Sequence, residues 1–355
     1  MAMKHLAPLA LMLVMMAACG SATAGDSASS ASNKTFAFLR ELGLNVDQIT
    51  QFNNDGPICF DSIVELNKEQ EEELLKKVGD PFRMEDGEIE GSFSLLGIRA
   101  LPAGYTLILY SVEFGDGSSR IFAIYDSEGN TTDYLDTGYW TDQHGIEASD
   151  DYTTGESYGD NTQCVFDSPT TMKLERKFNR YSWKSNKENY EQEMVKEFWK
   201  IEKEYLYRIT DKGTFELADI KTRQSGPVEP EMALLEEISD MSYYTGISAL
   251  DHLNELALRP DVKQAAAAPE GQASYRLQGI VEEWYRTKPE QLLEWMSQHR
   301  DLSKNAVTGI LEQCFSTGWI SKESLIKIID NMPDGETKKY IEDLTAQWGP
   351  ADAVG

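Results

Sequence analysis

The spacing of apolar side chains along this chain changes once, close to residue 226. Upstream, Tyr105–Phe114, Ser119–Tyr125, Met172–Trp183, Phe198–Thr210 and Thr214–Ile220 follow the two-residue period of strands. Glycine-bearing turns separate them at Gly115–Gly117, Asp126–Gly129 and Asp211–Gly213, where a small residue accepts backbone angles that others resist. Strands joined by such short turns make an antiparallel meander. Two of the hairpins share a layout, residues 121–133 and 207–217: strand, acidic turn ending in Gly, strand. Helical patterns at Thr35–Phe52 and Lys68–Val78 precede the strands. The second has Asn67 as N-cap and Gln70 three residues on, a capping box, and ends at Gly79 and Pro81.

Between Lys221 and Pro230 lie two prolines and a glycine, and beyond them apolar residues recur every three or four positions to Trp348. This stretch repeats. Leu277–Tyr285 aligns with Val307–Phe315, sharing a Gly-Ile-aliphatic-Glu core and an aromatic end. Glu290–Met296 aligns with Glu323–Ile329, and a further helix ends in Tyr340–Leu344. Thr287 with Glu290 predicts a capping box, and Ser321 the counterpart cap. Helical hairpins recurring at roughly 30–33 residues resemble the α-solenoid class of the TPR and HEAT repeats, although TPR signature residues are absent. The resemblance implies a short stack burying Ile280, Val281 and Trp284 in one repeat and Ile310, Leu311 and Cys314 in the next. The expected fold class is α+β: an N-terminal antiparallel β-meander domain with flanking helices, then an all-α, α-solenoid-like domain of helical hairpins.

The first residues add a location. Lys4 gives a positive start, and Leu6–Ala18 is uncharged and apolar. That fits the about 7–15 residues of an export-signal core and falls short of a bilayer span. Met16-Ala17-Ala18-Cys19-Gly20 resembles the lipobox of bacterial lipoproteins, with Met16 where Leu is usual. The resemblance implies lipidation of Cys19 and a mature chain anchored in the cell envelope, expected at the outer membrane. Plain secretion after Ala24 is the alternative. The Gly/Ser/Ala-rich residues that follow suit a flexible tether. The expected organisation is a signal peptide at 1–18, a lipidated tether at 19–34, an α+β domain at 35–225, a helical repeat domain at 228–348 and a tail at 349–355.

A net charge of −27 over 355 residues argues against a nucleic-acid partner, whose phosphates need a basic face. Besides Cys19 the chain has Cys59, Cys164 and Cys314. Cys314 falls on an apolar helix face, leaving Cys59 and Cys164 as the candidate disulfide in an oxidising compartment. His144, His252 and His299 are far apart. Gly155–Gly159 matches GxSxG and Ser324–Lys327 matches SxxK, but the first lacks the strand and helix of a nucleophile elbow and the second its companion motifs. No catalytic and no metal-ligating residue is assigned.

The segment Asp133–Asp160 is rich in acids and aromatics. Its candidate ligand loop comprises Asp133, Asp136, Tyr139, Trp140, Asp142, Asp150 and Asp151. Such oxygens suit Ca²⁺, and aromatics beside carboxylates suit a sugar ring; a solvated acidic loop is the plainer reading. Lys173, Arg176, Lys177, Arg180, Lys184 and Lys187 gather next to it. They read as a lysine-protected edge strand, or as a site for an anion or an acidic partner. No cofactor is expected apart from Ca²⁺ at the loop. The expected function is a lipid-anchored envelope protein acting as a non-enzymatic binding module, with the membrane and an envelope protein or glycan as partners. The alternative is a carboxylate- or metal-dependent hydrolase acting on glycan.

Overall fold

In the computed structural model, the residues described are 39–41, 43, 56–57, 63–72, 92–114, 117–137, 144–149, 154–185, 192–268 and 271–348. The chain is mixed α and β, with antiparallel sheets. It divides into two compact units at Pro227–Val228, with Phe215–Leu217 grouping with the second.

The first unit holds two sheets. In one, β2 (Val64–Glu65), β3 (Ser92–Ala100), β4 (Thr106–Phe114), β5 (Gly117–Tyr125) and β6 (Thr131–Asp136) lie side by side in chain order. Every residue of Leu107–Tyr110 and of Ile121–Tyr125 is buried. A two-residue alternation cannot survive there, because both faces of the sheet's centre are covered. The buried Tyr110 and Tyr125 hydroxyls answer one another at 2.8 Å, which satisfies two polar groups that burial would otherwise leave costly. Ahead of β3, Asn67 Oδ1 accepts from the Gln70 amide at 3.0 Å and Gln70 Oε1 from the Asn67 amide at 2.9 Å, the expected capping box.

The other sheet has the order β1 (Gly56–Pro57), β8 (Thr154–Ser168), β9 (Thr171–Ser185), β10 (Gln192–Ile209), β11 (Phe215–Ser225), with β7 (His144–Ala148) also on β8. The basic strand is therefore β9, central between β8 and β10, and not an edge. The acidic segment read as a loop contains β6, β7 and the start of β8. The two sheets meet at Phe166, whose ring lies edge-on to Phe122 at 6.5 Å and under the Arg99 guanidinium at 4.2 Å. Arg99 is 2% exposed.

The two look-alike hairpins make the same turn. The Asp126 amide donates to Asn130 O and the Gly129 amide to Asp126 O; the Thr210 amide donates to Thr214 O and the Gly213 amide to Thr210 O. Gly129 and Gly213 occupy φ of +83° and +68°, where a side chain would be strained. The side chain holding each turn differs: Asp126 Oδ1 accepts from the Glu128 and Asn130 amides, and Thr210 Oγ1 from those of Lys212 and Thr214.

The second unit contains α1 (Pro230–Ser239), α2 (Ser248–Leu258), α3 (Pro260–Ala266), α4 (Gln272–Thr287), α5 (Pro289–Gln298), α6 (Ala306–Ser316), α7 (Lys322–Asn331) and α8 (Glu336–Thr345). Proline opens α1, α3 and α5 at the first turn, where its missing N–H has no partner to lose. That is why the Thr287–Glu290 capping box does not form. Pro289 starts α5, Lys288 takes the cap position, and the Thr287 hydroxyl turns back to donate to Glu283 O at 2.7 Å. Ser321 does cap α7, accepting from the Ser324 amide at 3.1 Å. Helix α4 is the hub, packing on α1, α3, α5 and α6, while α8 packs on α5 and α7. All six residues expected inside the repeats are buried, from Val281 at 0% to Trp284 and Ile310 at 8% exposed.

Candidate functional site

The end of the acidic segment pairs with the basic strand. β8 and β9 run antiparallel with Asp160 opposite Phe178, Thr162 opposite Arg176 and Tyr158 opposite Arg180. Arg176 sits diagonally from Asp160 and grips it with both ends of the guanidinium: Nε lies 3.0 Å from each carboxylate oxygen, and Nη2 closes on Oδ2. Two-point contact of this kind fixes orientation as well as charge. Arg180 reaches Glu156 at 2.8 Å, Lys177 reaches Glu197 at 2.7 Å and Lys173 reaches Asp167 at 3.3 Å. Hydrogen bonds from Lys177 and Asn179 hold the Glu197 carboxyl below its ordinary value, against the opposing effect of desolvation. Between the ion pairs the rings of Tyr158, Phe178 and Trp199 gather, with centroids 5.4–5.8 Å apart. Four of the six cations expected to await an anion, Lys173, Arg176, Lys177 and Arg180, are held by the protein's own carboxylates, and Lys187 lies outside the described residues.

The candidate ligand loop is not brought together as one set. Asp133 and Asp136 stand on β6, opposite Ile124 and Ile121. Tyr139, Trp140, Asp142, Asp150 and Asp151 lie outside the described residues, as do Cys19 and Cys59. Among the described residues no group of three or more His, Cys, Asp or Glu is placed to hold a metal ion. Cys164 and Cys314 are free thiols. Burial pushes the Cys164 thiol up to about 12, against the lowering effect of Arg120, so it is a poor nucleophile near neutral pH. Cys164 faces Leu174 across the ladder, and its neighbour Val165 pairs with Pro57 of β1.

Neither catalytic motif occupies a catalytic setting. Ser157 lies inside β8, buried, with its hydroxyl accepting from the Trp183 indole at 2.9 Å. Ser324 lies in the first turn of α7, with its hydroxyl 3.0 Å from that of Tyr285.

Two groups on the helical unit reach solvent. Near the start of α4, Tyr275 is 56% exposed and stacks on Trp319 at 6.0 Å and 23°. Trp319 follows the α6 turn at Gly318, whose φ of +79° admits glycine most readily. Sequence reasoning missed this pair, because its partners are 44 residues apart and sit outside the aligned repeat cores. The second group links α2 to α5. The His299 ring stacks on Trp295 at 4.0 Å, and Asp251 accepts from the Trp295 indole at 2.8 Å. His299 Nε2 stands 3.6 Å from the same carboxylate oxygen, and Nδ1 is 2.8 Å from Trp295 O. Beside it Asn254 ties α2 to the entry of α6, donating to Lys304 O and accepting from the Ala306 amide.

No helix among the described residues is long and apolar enough to cross a membrane. Comparison with protein-family models, with curated proteins and with solved structures finds no match to this chain.

Proposed function

We propose that this chain is a lipid-anchored cell-envelope protein that works by binding, with the helical unit as its contact surface and an envelope protein or peptide as its partner. The observation that carries the binding role is the stack of exposed Tyr275 on Trp319. Trp319, half-buried against the helical core, holds the Tyr275 ring in place with more than half of that side chain in solvent. The pair offers flat, amphipathic area that ordering on contact does not penalise heavily. Two α-solenoid-like repeats, α4–α5 and α6–α7, build the scaffold in this reading. Packing of α4 on α6 supports it, as does the contact of the equivalent residues Tyr285 and Phe315, edge-on at 5.9 Å. Helix α2 also packs on α6, which closes the stack into a short bundle. The anchor rests on the apolar run to Ala18 and on Met16–Cys19. The hydrolase alternative keeps only the acidic segment as support, and two of its carboxylates, Glu156 and Asp160, are engaged by arginines.

Intact-mass measurement of the processed chain tests the anchor: a diacylated Cys19 is expected, and a free amine at Gly25 refutes it. A photo-crosslinking residue in place of Tyr275, in the full chain in its own envelope, tests the surface. Adducts to one protein from position 275, and none from Lys263 on α3, are expected. Adducts that form only from positions on the sheets would overturn the assignment.

A further inference from the structure

Four strands flank the two sheets, and three of them are short. β2 and β1 have two residues each and β6 has six; β7, which also lies against β8, has five. β11 has eleven and ends its sheet, with no strand on its outer side among the described residues. Near its start Leu217 donates its amide to Thr245 Oγ1 at 3.0 Å. From Ala218 to Ser225 every residue except the half-buried Ile220 is exposed. A long open edge exposes a row of unpaired amides and carbonyls that another strand can use.

Proline and charged side chains, lysine above all, keep an open edge from pairing unless a partner strand sets the opposite charge against them. β11 has no proline and carries both signs, Glu216 and Asp219 followed by Lys221 and Arg223. The Lys221 ammonium already leans on Glu204 of β10 at 2.8 Å, and with Asp219 close by its proton is held more tightly than usual. We propose that β11 pairs antiparallel with β11 of a second copy, about a two-fold axis at Ile220. A two-fold pairing admits only registers centred on a residue, because the backbone groups facing the partner must match in direction. Centred on Ile220, Asp219 of each copy stands opposite Lys221 of the other, twice, and Ile220 meets Ile220. Centred on Asp219 or on Lys221, like charges stand opposite. Centred on Thr222, Lys221 faces Arg223. One register alone is both complementary and free of opposed like charges.

Sedimentation velocity of the full chain, purified without acyl groups over a concentration series, is the test. The unsubstituted chain is expected to show a concentration-dependent dimer that weakens with salt. Asp219→Lys and Lys221→Asp each put like charges in both opposed pairs, and each alone is expected to bind itself at least about tenfold more weakly. Mixed together they restore the dimer, since the lysines of one copy then face the aspartates of the other. Circular dichroism matching the parent excludes misfolding as the cause of any loss. A monomer at every concentration, or a mixture that associates no better than its components, overturns the proposal.

Discussion

Asp160→Asn removes one charge from the least exposed ion pair of the β8–β9 ribbon. The Arg176 side chain is 9% exposed and that of Asp160 16%, and Lys203, 5% exposed, stands directly opposite Arg176 on β10. Without the carboxylate charge, a guanidinium stays out of water beside an ammonium, and amide oxygen replaces only part of the two-point contact. Breaking a buried pair from one side costs roughly 3–5 kcal/mol, and the residual exposure of Asp160 puts the expectation near the lower end, about 3 kcal/mol. For a unit of this size that corresponds to a fall in Tm of roughly 6–12 °C. The same ribbon supplies the control. Arg180 and Glu156, both 30% exposed, make a similar contact in water's reach, so Glu156→Gln should cost no more than about 1 kcal/mol. Urea unfolding followed by Trp fluorescence measures both variants. Asp160→Leu combined with Arg176→Met removes both charges and should recover part of the loss. Equal effects from Asp160→Asn and Glu156→Gln, or a double variant worse than Asp160→Asn alone, would refute the reasoning.

Burial raises the pKa of both Tyr110 and Tyr125 above the ordinary tyrosine value. Both therefore stay protonated when folded, while the unfolded chain ionises above about pH 10. Their contribution is whole below that pH and is lost as pH rises towards the folded values, so Tm should fall between pH 9 and about 11, and less steeply in Tyr110→Phe/Tyr125→Phe. Gly226, at φ +79°, has Phe198 O only 2.4 Å from where a Cβ would stand; Gly226→Ala should cost at least about 2 kcal/mol in chemical denaturation. The structure leaves Cys164 as a free thiol where the sequence suggests a bridge to Cys59, so peptide mapping without reductant should recover Cys164 unlinked, and a Cys59–Cys164 peptide would refute this. In reduced protein, Cys314, whose thiol burial pushes up to about 12, should resist iodoacetamide at pH 7.5 until the helical unit unfolds.

Strands that bury apolar runs were legible. β4, β5 and β10 alternate or run apolar between glycine turns, and the turns sit at Asp126–Gly129 and Asp211–Gly213, where the sequence places them. β8 was not legible, since Thr154–Gln163 is polar at almost every position. It is a strand because β9 supplies the opposite charges and the ladder, a partner some twenty residues away that local patterning cannot see. Misplacing β9 at an edge follows from the same blindness, since its cations read as solvated only if their carboxylates are not known to lie beside them. Helices were legible through their period, but a cap is decided by one competing residue, as Pro289 decides against Thr287. Of the site, the six buried positions on α4 and α6 could be read, whereas the Tyr275–Trp319 stack depends on tertiary approach between residues that belong to no common pattern.

The cross-strand pair of Arg176 and Asp160 also bears on how the ribbon finds its alignment. β8, β9 and β10 are fifteen, fifteen and eighteen residues long, and their many polar positions leave hydrophobic burial a weak guide to registration. A slip by one position turns Arg176 to the opposite side of the sheet, and a slip by two carries the guanidinium past its carboxylate. Misaligned ribbons thus strand an ion, and the native alignment does not. The pair acts as a key among near-equivalent pairings, so its loss should lengthen refolding, through misaligned intermediates, as well as lower equilibrium stability.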